Sequence, residues 1–362
     1  MTALIWIALS VATPLQAAKP KITLVVQITV DQLRGDFVER FGDRFGKGGF
    51  RYLLDNGVHY TNAHYTHANT ETATGHATLA TGAPPAYHGI VANDWIDQET
   101  GETVYSTSDD RHHVLGDATR SRQGGSPRNL KGSTFSDELV LNSAGESRAF
   151  SVSVKDRSAI LAGGHSGKAF WFSTRQGTFV TSSYYYSEYP QWVQDWRALR
   201  LADEYMGQDW ELVLDPGSYV ARDADERPFE SSPAGLGTTF PHRLDADTPN
   251  DFYRMLRLTP MGDELTLKFV KALIDAEEIG KREAVDFLQI SFSSPDYAGH
   301  FYGPASLEYE DAMLRLDGVL EELFRLINKK VGLYRTLIVL SADHGGPEVP
   351  EHAAEFGIAA DR

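Results

Sequence analysis

Residues 22–31 read Ile-Thr-Leu-Val-Val-Gln-Ile-Thr-Val-Asp. The run is almost continuously apolar or β-branched, as in a central parallel strand covered on both faces. It ends in a carboxylate. Three further runs repeat the pattern. Phe150 to Val154 leads into Lys155, and Val285 to Phe292 (VDFLQISF) leads into Ser293-Ser294-Pro295-Asp296. Thr336 to Leu340 leads into Ser341-Ala342-Asp343-His344-Gly345-Gly346. Ligands of open α/β sheets bind beyond the carboxyl ends of the strands. Four apolar strands, each followed by a charged or metal-competent side chain, predict an α/β fold with a mainly parallel central sheet flanked by helices. The site is expected along one rim.

Two segments between the strands have helical spacing. Asp263 to Glu278 carries Leu265, Phe269, Ala272, Leu273 and Ala276 on one face. Leu307 to Lys330 carries Met313, Leu316, Leu320, Leu323, Phe324 and Ile327. Both read as core-facing helices. Segments 96–148 and 166–262 are rich in Gly, Ser, Asp and aromatics. They are expected as lid-like insertions within one catalytic domain spanning 19–362, not as separate domains. No internal repeat is visible.

Composition narrows the function classes. Of 362 residues, 41% are hydrophobic, and 18 Phe, 16 Tyr and 6 Trp supply ample core bulk, which excludes a disordered scaffold. Acidic residues outnumber basic ones by 50 to 34, and no basic block rises from that background, so a nucleic-acid coat is not expected. No internal apolar run reaches the ~20 residues of a membrane span. The absence of cysteine removes disulfides, thiolate zinc sites and cysteine nucleophiles together. Met1 to Ala18 is a short apolar stretch ending in small residues ahead of Lys19. It reads as a secretory signal cleaved near Ala17 or Ala18, which implies a periplasmic or secreted protein. It lacks a basic start and has Leu15 where a small residue is usual, so a buried first helix is the alternative.

Residues 68–95 (ANTETATGHATLATGAPPAYHGIVANDW) are the densest in chemistry. Ala77 to Thr81 can start a helix that Gly82 and Pro84 stop. A hydroxyl near a helix N-terminus, here Thr72, sees free N–H groups and the positive dipole end, a setting that binds anions. Alone it would be read as an N-cap. Asp296 and His300, four apart, share one face of a helical turn. Asp343 and His344 are adjacent at a strand end, and Asp31 closes the first strand. Oxygen and imidazole donors without sulfur suit catalytic zinc. Each pair taken singly is a weak signal.

The set is specific in its order. VDQLRGD (30–36), TATGH (72–76), HGIVANDW (88–95), SVKDR (153–157), SPDYAGH (294–300) and SADHGG (341–346) together resemble the alkaline phosphatase superfamily. The resemblance is strongest to bacterial phosphate-irrepressible alkaline phosphatases with a threonine nucleophile. More distantly, the chain is similar to type I phosphodiesterases and nucleotide pyrophosphatases. The resemblance implies two Zn2+ ions, one held by Asp31, Thr72, Asp343 and His344, the other by Asp296 and His300. It implies Thr72 as nucleophile, Asn93 as a hydrogen-bond donor to a phosphate oxygen, and Lys155 with Arg157 as the basic pair of the monoesterase branch. As an alternating pair at a strand end, these two would reach the same side; the plainer reading is a surface salt-bridge pair with Asp156 or neighbours. His76 and His88 are expected in supporting or packing roles, and His112, His113 and His165 in loops.

The implied activity is hydrolysis of small phosphate monoesters through a phosphothreonine. Phosphodiester hydrolysis and a catalytically weak metal- or phosphate-binding fragment are the alternatives. The family's second zinc takes another histidine well downstream of the Asp-His pair. This chain stops 18 residues after His344 and offers only His352, expected to be an ordinary loop residue. The resemblance therefore implies a C-terminally truncated chain whose second zinc site lacks a ligand. The sequence carries no sign of an oligomeric state.

Overall fold

The computed structural model describes residues 21–117, 125–221 and 225–360. The expected signal at 1–18 lies outside them. Among the described residues ten strands follow in chain order: β1 Leu24–Val30, β2 Asp94–Ile96, β3 Thr103–Tyr105, β4 Ala149–Ser153, β5 Lys168–Ser173, β6 Thr178–Val180, β7 Asp209–Trp210, β8 His242–Arg243, β9 Asp286–Phe292 and β10 Thr336–Ser341. Six form the central sheet, in the order β10-β1-β9-β4-β5-β6. All neighbours pair in parallel except β6, which runs antiparallel to β5. The four apolar runs are thus β1, β4, β9 and β10, and they lie side by side.

Register sets the rim. Thr29 of β1 is level with Ser341 of β10 and Ser291 of β9, and Ser291 is level with Ser153 of β4. The residues just beyond these strands, 31, 155, 293–296 and 343–344, therefore emerge at one edge. Residues 168–180, expected within an insertion, instead supply β5 and β6 of the sheet. Their apolar runs are short and broken by a turn at Thr174–Gly177, which hid them.

Both faces of the sheet are covered. Along β5, Phe170 and Phe172 join the main core cluster, while the intervening Ala169 and Trp171 join a second one, as strand alternation requires. The main cluster is built on helices Pro260–Ala276 and Leu307–Lys330. These are the two expected helices, the first beginning three residues early at a proline suited to the first helical turn. The Ser306 hydroxyl caps the second by accepting from Tyr309 N–H at 3.1 Å. Helix Asp156–Gly163 packs on the other face against helix Thr72–Thr81. Edge strand β10 packs Ile338 and Leu340 against the core and leaves Leu337 and Val339 exposed.

Candidate active site

Most site residues are delivered by a strand end or the helix after it; Thr72 heads a helix that follows a loop, and Asn93 lies just ahead of β2. Asp31 follows β1 and is fully buried. The helix expected from Ala77 begins five residues earlier, at Thr72, and ends at Gly82 in the left-handed region, φ 66°. Tertiary contacts explain the early start. The Asn93 Oδ1 accepts the Ala73 N–H at 2.9 Å, and the Asn93 N–H donates to Glu71 at 2.7 Å, so the first turn is capped from outside. Gly75, a poor helix former, allows close approach: a Cβ there would lie 2.0 Å from the Asp343 carbonyl oxygen.

Lys155 and Arg157 lie at a helix start, not alternating along a strand. β4 ends at Ser153, whose hydroxyl accepts the Lys155 N–H at 3.1 Å, and helix Asp156–Gly163 follows. Their heads converge nonetheless. Lys155 Nζ and Arg157 Nη2 each lie 3.4 Å from Thr72 Oγ1. The surface salt bridge with Asp156 does not occur. The Lys155 side chain is 2% exposed and pairs elsewhere, while Asp156 accepts the Tyr105 hydroxyl at 2.6 Å. Two cations at a helix N-terminus oppose the helix dipole, so stability is given up locally to place them there.

The acidic side of the site faces these cations. Lys155 Nζ lies 2.6 Å from Asp31 Oδ2 and 2.5 Å from Asp296 Oδ2. His344 Nε2 lies 3.4 Å from Asp31, 3.7 Å from Asp296 and 3.8 Å from Asp343. One ligand atom each from Asp31, Asp296 and His344 falls within a 4.8 Å group. The implied partition into two metal sets is not visible in this spacing, because Asp296 groups with Asp31 and His344. His300 shares helix Ser294–Phe301 with Asp296 as expected, with its side chain 60% exposed and Nε2 3.1 Å from Asp296 Oδ1.

The donor set fits a divalent cation. Asp31 Oδ1, Asp296 Oδ1 and Asp343 Oδ2 are buried and face only imidazole nitrogens, of His344 at 3.4 Å, His300 at 3.1 Å and His76 at 3.1 Å, and so many buried carboxylates in one place are costly unless cations are near. His344 Nδ1 lies 2.8 Å from the Gly345 carbonyl, so that nitrogen carries the proton and Nε2 turns its lone pair to the acids when the ring is neutral. Burial would lower the His344 imidazole, but its hydrogen bond to Asp31 and the charges of Asp343 and Asp31 lift it to about 10. Burial would raise Asp343, but His76, with His344 and Lys155, draws it down to about 2. Burial works against the Lys155 ammonium too, and Asp296 and Asp31 overcome it, holding the group above its ordinary value.

Other residues support this centre. His76 Nδ1 lies 2.9 Å from the Thr72 carbonyl and 3.1 Å from Asp343 Oδ2, and Nε2 lies 3.1 Å from Ser291 Oγ. His88 accepts the Ile90 N–H at Nδ1, which leaves Nε2–H to donate to Thr78 Oγ1. His165 pairs with Asp137, and His112 and His113 adjoin Ser183. His352, expected in a loop, lies on helix Pro350–Glu355 with its ring near Glu355 and Phe356. Sequence reasoning missed Asp263. From the Pro260 helix it accepts Ser293 N–H at 2.8 Å, Ser294 N–H at 3.0 Å and Ser294 Oγ–H at 2.5 Å. It thereby caps the helix that carries Asp296 and His300, which makes no side-chain cap of its own. Its one sequence signal was an acid among apolar residues on the buried face.

A family model described as type I phosphodiesterase / nucleotide pyrophosphatase matches residues 25–357. Alkaline phosphatase PhoV of Synechococcus elongatus is 41% identical over 93% of this chain and 61% of its own length. Alkaline phosphatase PafA of Elizabethkingia meningoseptica is 39% identical over 91% of this chain and 60% of its own. The crystal structure of wild-type PafA superposes with a TM-score of 0.88 at 37% identity, covering 94% of this chain and 66% of that one. A PafA variant with one threonine, one asparagine, one lysine and one arginine replaced superposes equally well, at 36% identity over the same shares of the two chains. The chain thus spans about six-tenths of the length of these curated relatives.

Proposed function

The chain belongs to the type I phosphodiesterase / nucleotide pyrophosphatase family, and from that premise we propose that it is a zinc-dependent phosphate monoester hydrolase acting through a phosphothreonine at Thr72. The observation that carries this reading is the surroundings of the Thr72 hydroxyl. Two cations, the buried Lys155 and the half-buried Arg157, lie 3.4 Å from it, beside the buried carboxylates of Asp31 and Asp296. The residue types replaced in the PafA variant recur here in the same order and at the same spacing, as Thr72, Asn93, Lys155 and Arg157.

Asp31, Asp296, Asp343 and His344 would hold the metal, with Thr72 and His300 at its margins. Bound there, zinc would supply the positive charge that acidifies the Thr72 hydroxyl and stabilises charge on the departing oxygen. The chain's own groups bind the phosphoryl unit. Lys155 and Arg157 offer charged donors to non-bridging oxygens, and the guanidinium can meet two at once. The Asn93 Oδ1 is engaged by Ala73 N–H. The group left to meet a phosphate is therefore the amide N–H, a donor of the right sign. Thr72 stands at the start of its helix, where the free N–H groups and dipole favour an anion. The apolar segment Met1 to Ala18 supports export to the periplasm or beyond. Among the described residues no helix is long and apolar enough to cross a membrane.

Thr72→Ala tests the proposal. The variant should fold and take up zinc but lose turnover, and an acid-trapped phosphoryl label should map to the Thr72 peptide only in the parent. Label elsewhere, or activity retained, defeats the assignment. The family name favours one second reading, phosphodiester hydrolysis, which comparison of matched mono- and diesters decides.

A further inference from the structure

An open cleft of about 690 Å³ is lined by residues that include Asp245, Asp247, Arg257, Leu258 and Phe301. Phe301 directly follows His300 on the same helix. The Arg257 guanidinium lies 5.8 Å from the centre of the Tyr297 ring, and Lys155 Nζ lies 4.9 Å from that same ring centre. A substrate whose phosphoryl group meets Lys155 thus has this cleft one aromatic ring away.

Arg254 and Asp251 also line the cleft and pair with each other at 3.9 Å, which leaves Arg257, Asp245 and Asp247 as its unspent charges. Arg257 has neither a hydrogen-bond nor an ion-pair partner among the described residues, and its Nε is buried without an acceptor. Asp245 and Asp247 are exposed and equally without partners among the described residues. Opposite charges share one concavity and do not neutralise each other. A purely anionic ligand would meet two carboxylates, and a purely cationic one a guanidinium. A ligand rich in hydroxyls suits both, donating to the carboxylates and accepting from Arg257. The Phe301 ring and Leu258 supply the apolar surface that the C–H face of a sugar covers.

Resting on the monoesterase reading above, we propose that this cleft receives the polyhydroxylated leaving group of the ester, so that sugar phosphates are the favoured substrate class. Arg257 and Asp247 are its specificity-determining residues.

The test compares glucose 6-phosphate with n-hexyl phosphate, both esters of primary alcohols, in the zinc-loaded full chain. The parent should favour glucose 6-phosphate in kcat/KM. That preference should fall roughly tenfold in Arg257→Ala and in Asp247→Ala, the scale of one lost hydrogen bond to a charged group. A turnover-independent arm measures calorimetric binding of the same two esters to Thr72→Ala, alone and combined with Arg257→Ala. Tighter binding of the sugar ester, weakened by the second substitution, supports the cleft even if the chain turns over neither ester, an outcome that would defeat only the monoesterase reading. Monoester turnover with no sugar preference, a preference for hexyl phosphate, or preferences that neither variant alters would overturn the proposal and leave the monoesterase reading standing.

Discussion

Replacing Lys155 with alanine probes the charge balance of the site. The ammonium is buried between Asp31 and Asp296 at 2.6 and 2.5 Å, and both carboxylates are themselves buried. Removing one partner of a buried ion pair costs about 3–5 kcal/mol, because the other charge is left uncompensated. Unfolding entropy of about 2.1 cal/mol/K per residue makes 1 kcal/mol worth roughly 1.4 °C for a chain of this size, so the metal-free variant should melt about 4–7 °C below the parent. A divalent cation among the same oxygens restores the balance. In saturating zinc the deficit should therefore shrink to a degree or two. Because ammonium and metal compete for the same carboxylates, the variant should also bind zinc more tightly than the parent, even as monoester turnover falls. Calorimetric melting with zinc and with a chelator, and zinc titration against a competing indicator, read both effects. An equal loss of melting temperature in both conditions, or weaker zinc binding by the variant, would refute the reasoning.

Arg157→Ala should lower kcat/KM for monoesters by roughly tenfold to a hundredfold and leave diesters nearly unaffected, since a diester lacks the second free charge that the guanidinium meets. Equal losses on both would make the residue a general anion attractor. His344, held at about 10 in the metal-free chain, must release its proton to ligate a metal. Apparent zinc affinity should climb close to tenfold per pH unit from about pH 7 to 10 and level off above. Without metal the sign reverses: the stability owed to the raised imidazole is complete below about 6.5, its ordinary value, and is lost as pH rises through about 10. A flat zinc profile would contradict both statements. Gly75→Ala drives a methyl group into the Asp343 backbone and should cost more than about 3 kcal/mol in denaturant titration. A loss below about 1 kcal/mol would mean that the helix and the β10 loop are not in contact.

What the sequence disclosed, and what it withheld, divides along the range of the interactions. Asp31, Asp296, Asp343 and His344 were legible because each follows an apolar strand, and that pattern is local. The pairing of β1 with both β9 and β10 was not, so the grouping of Asp31 with Asp296 and His344 appeared only in the fold. Helix propensity placed the Thr72 helix too late, since Thr74 and Gly75 are weak formers, and an external cap from Asn93 outweighed them. The heads of Lys155 and Arg157 meet at Thr72 through a helix start that Ser153 sets up and strand alternation does not describe. Asp263 escaped notice because its role is to cap a helix that begins 31 residues downstream.

The strand order also bears on how the protein comes to exist. β1 lies between β9 and β10, yet more than 250 residues separate it from either partner in the sequence. At ~5–20 residues per second, β1 waits roughly 10–50 s before β9 leaves the ribosome, with its apolar length unpaired throughout. No fragment that ends before β9 can close the sheet centre, because β9 alone joins β1 to β4. Pairing over such a sequence separation carries the slow kinetics of long-range parallel contacts. The long wait leaves β1 exposed to mispairing, so the central sheet depends on whatever keeps that strand covered until β9 arrives.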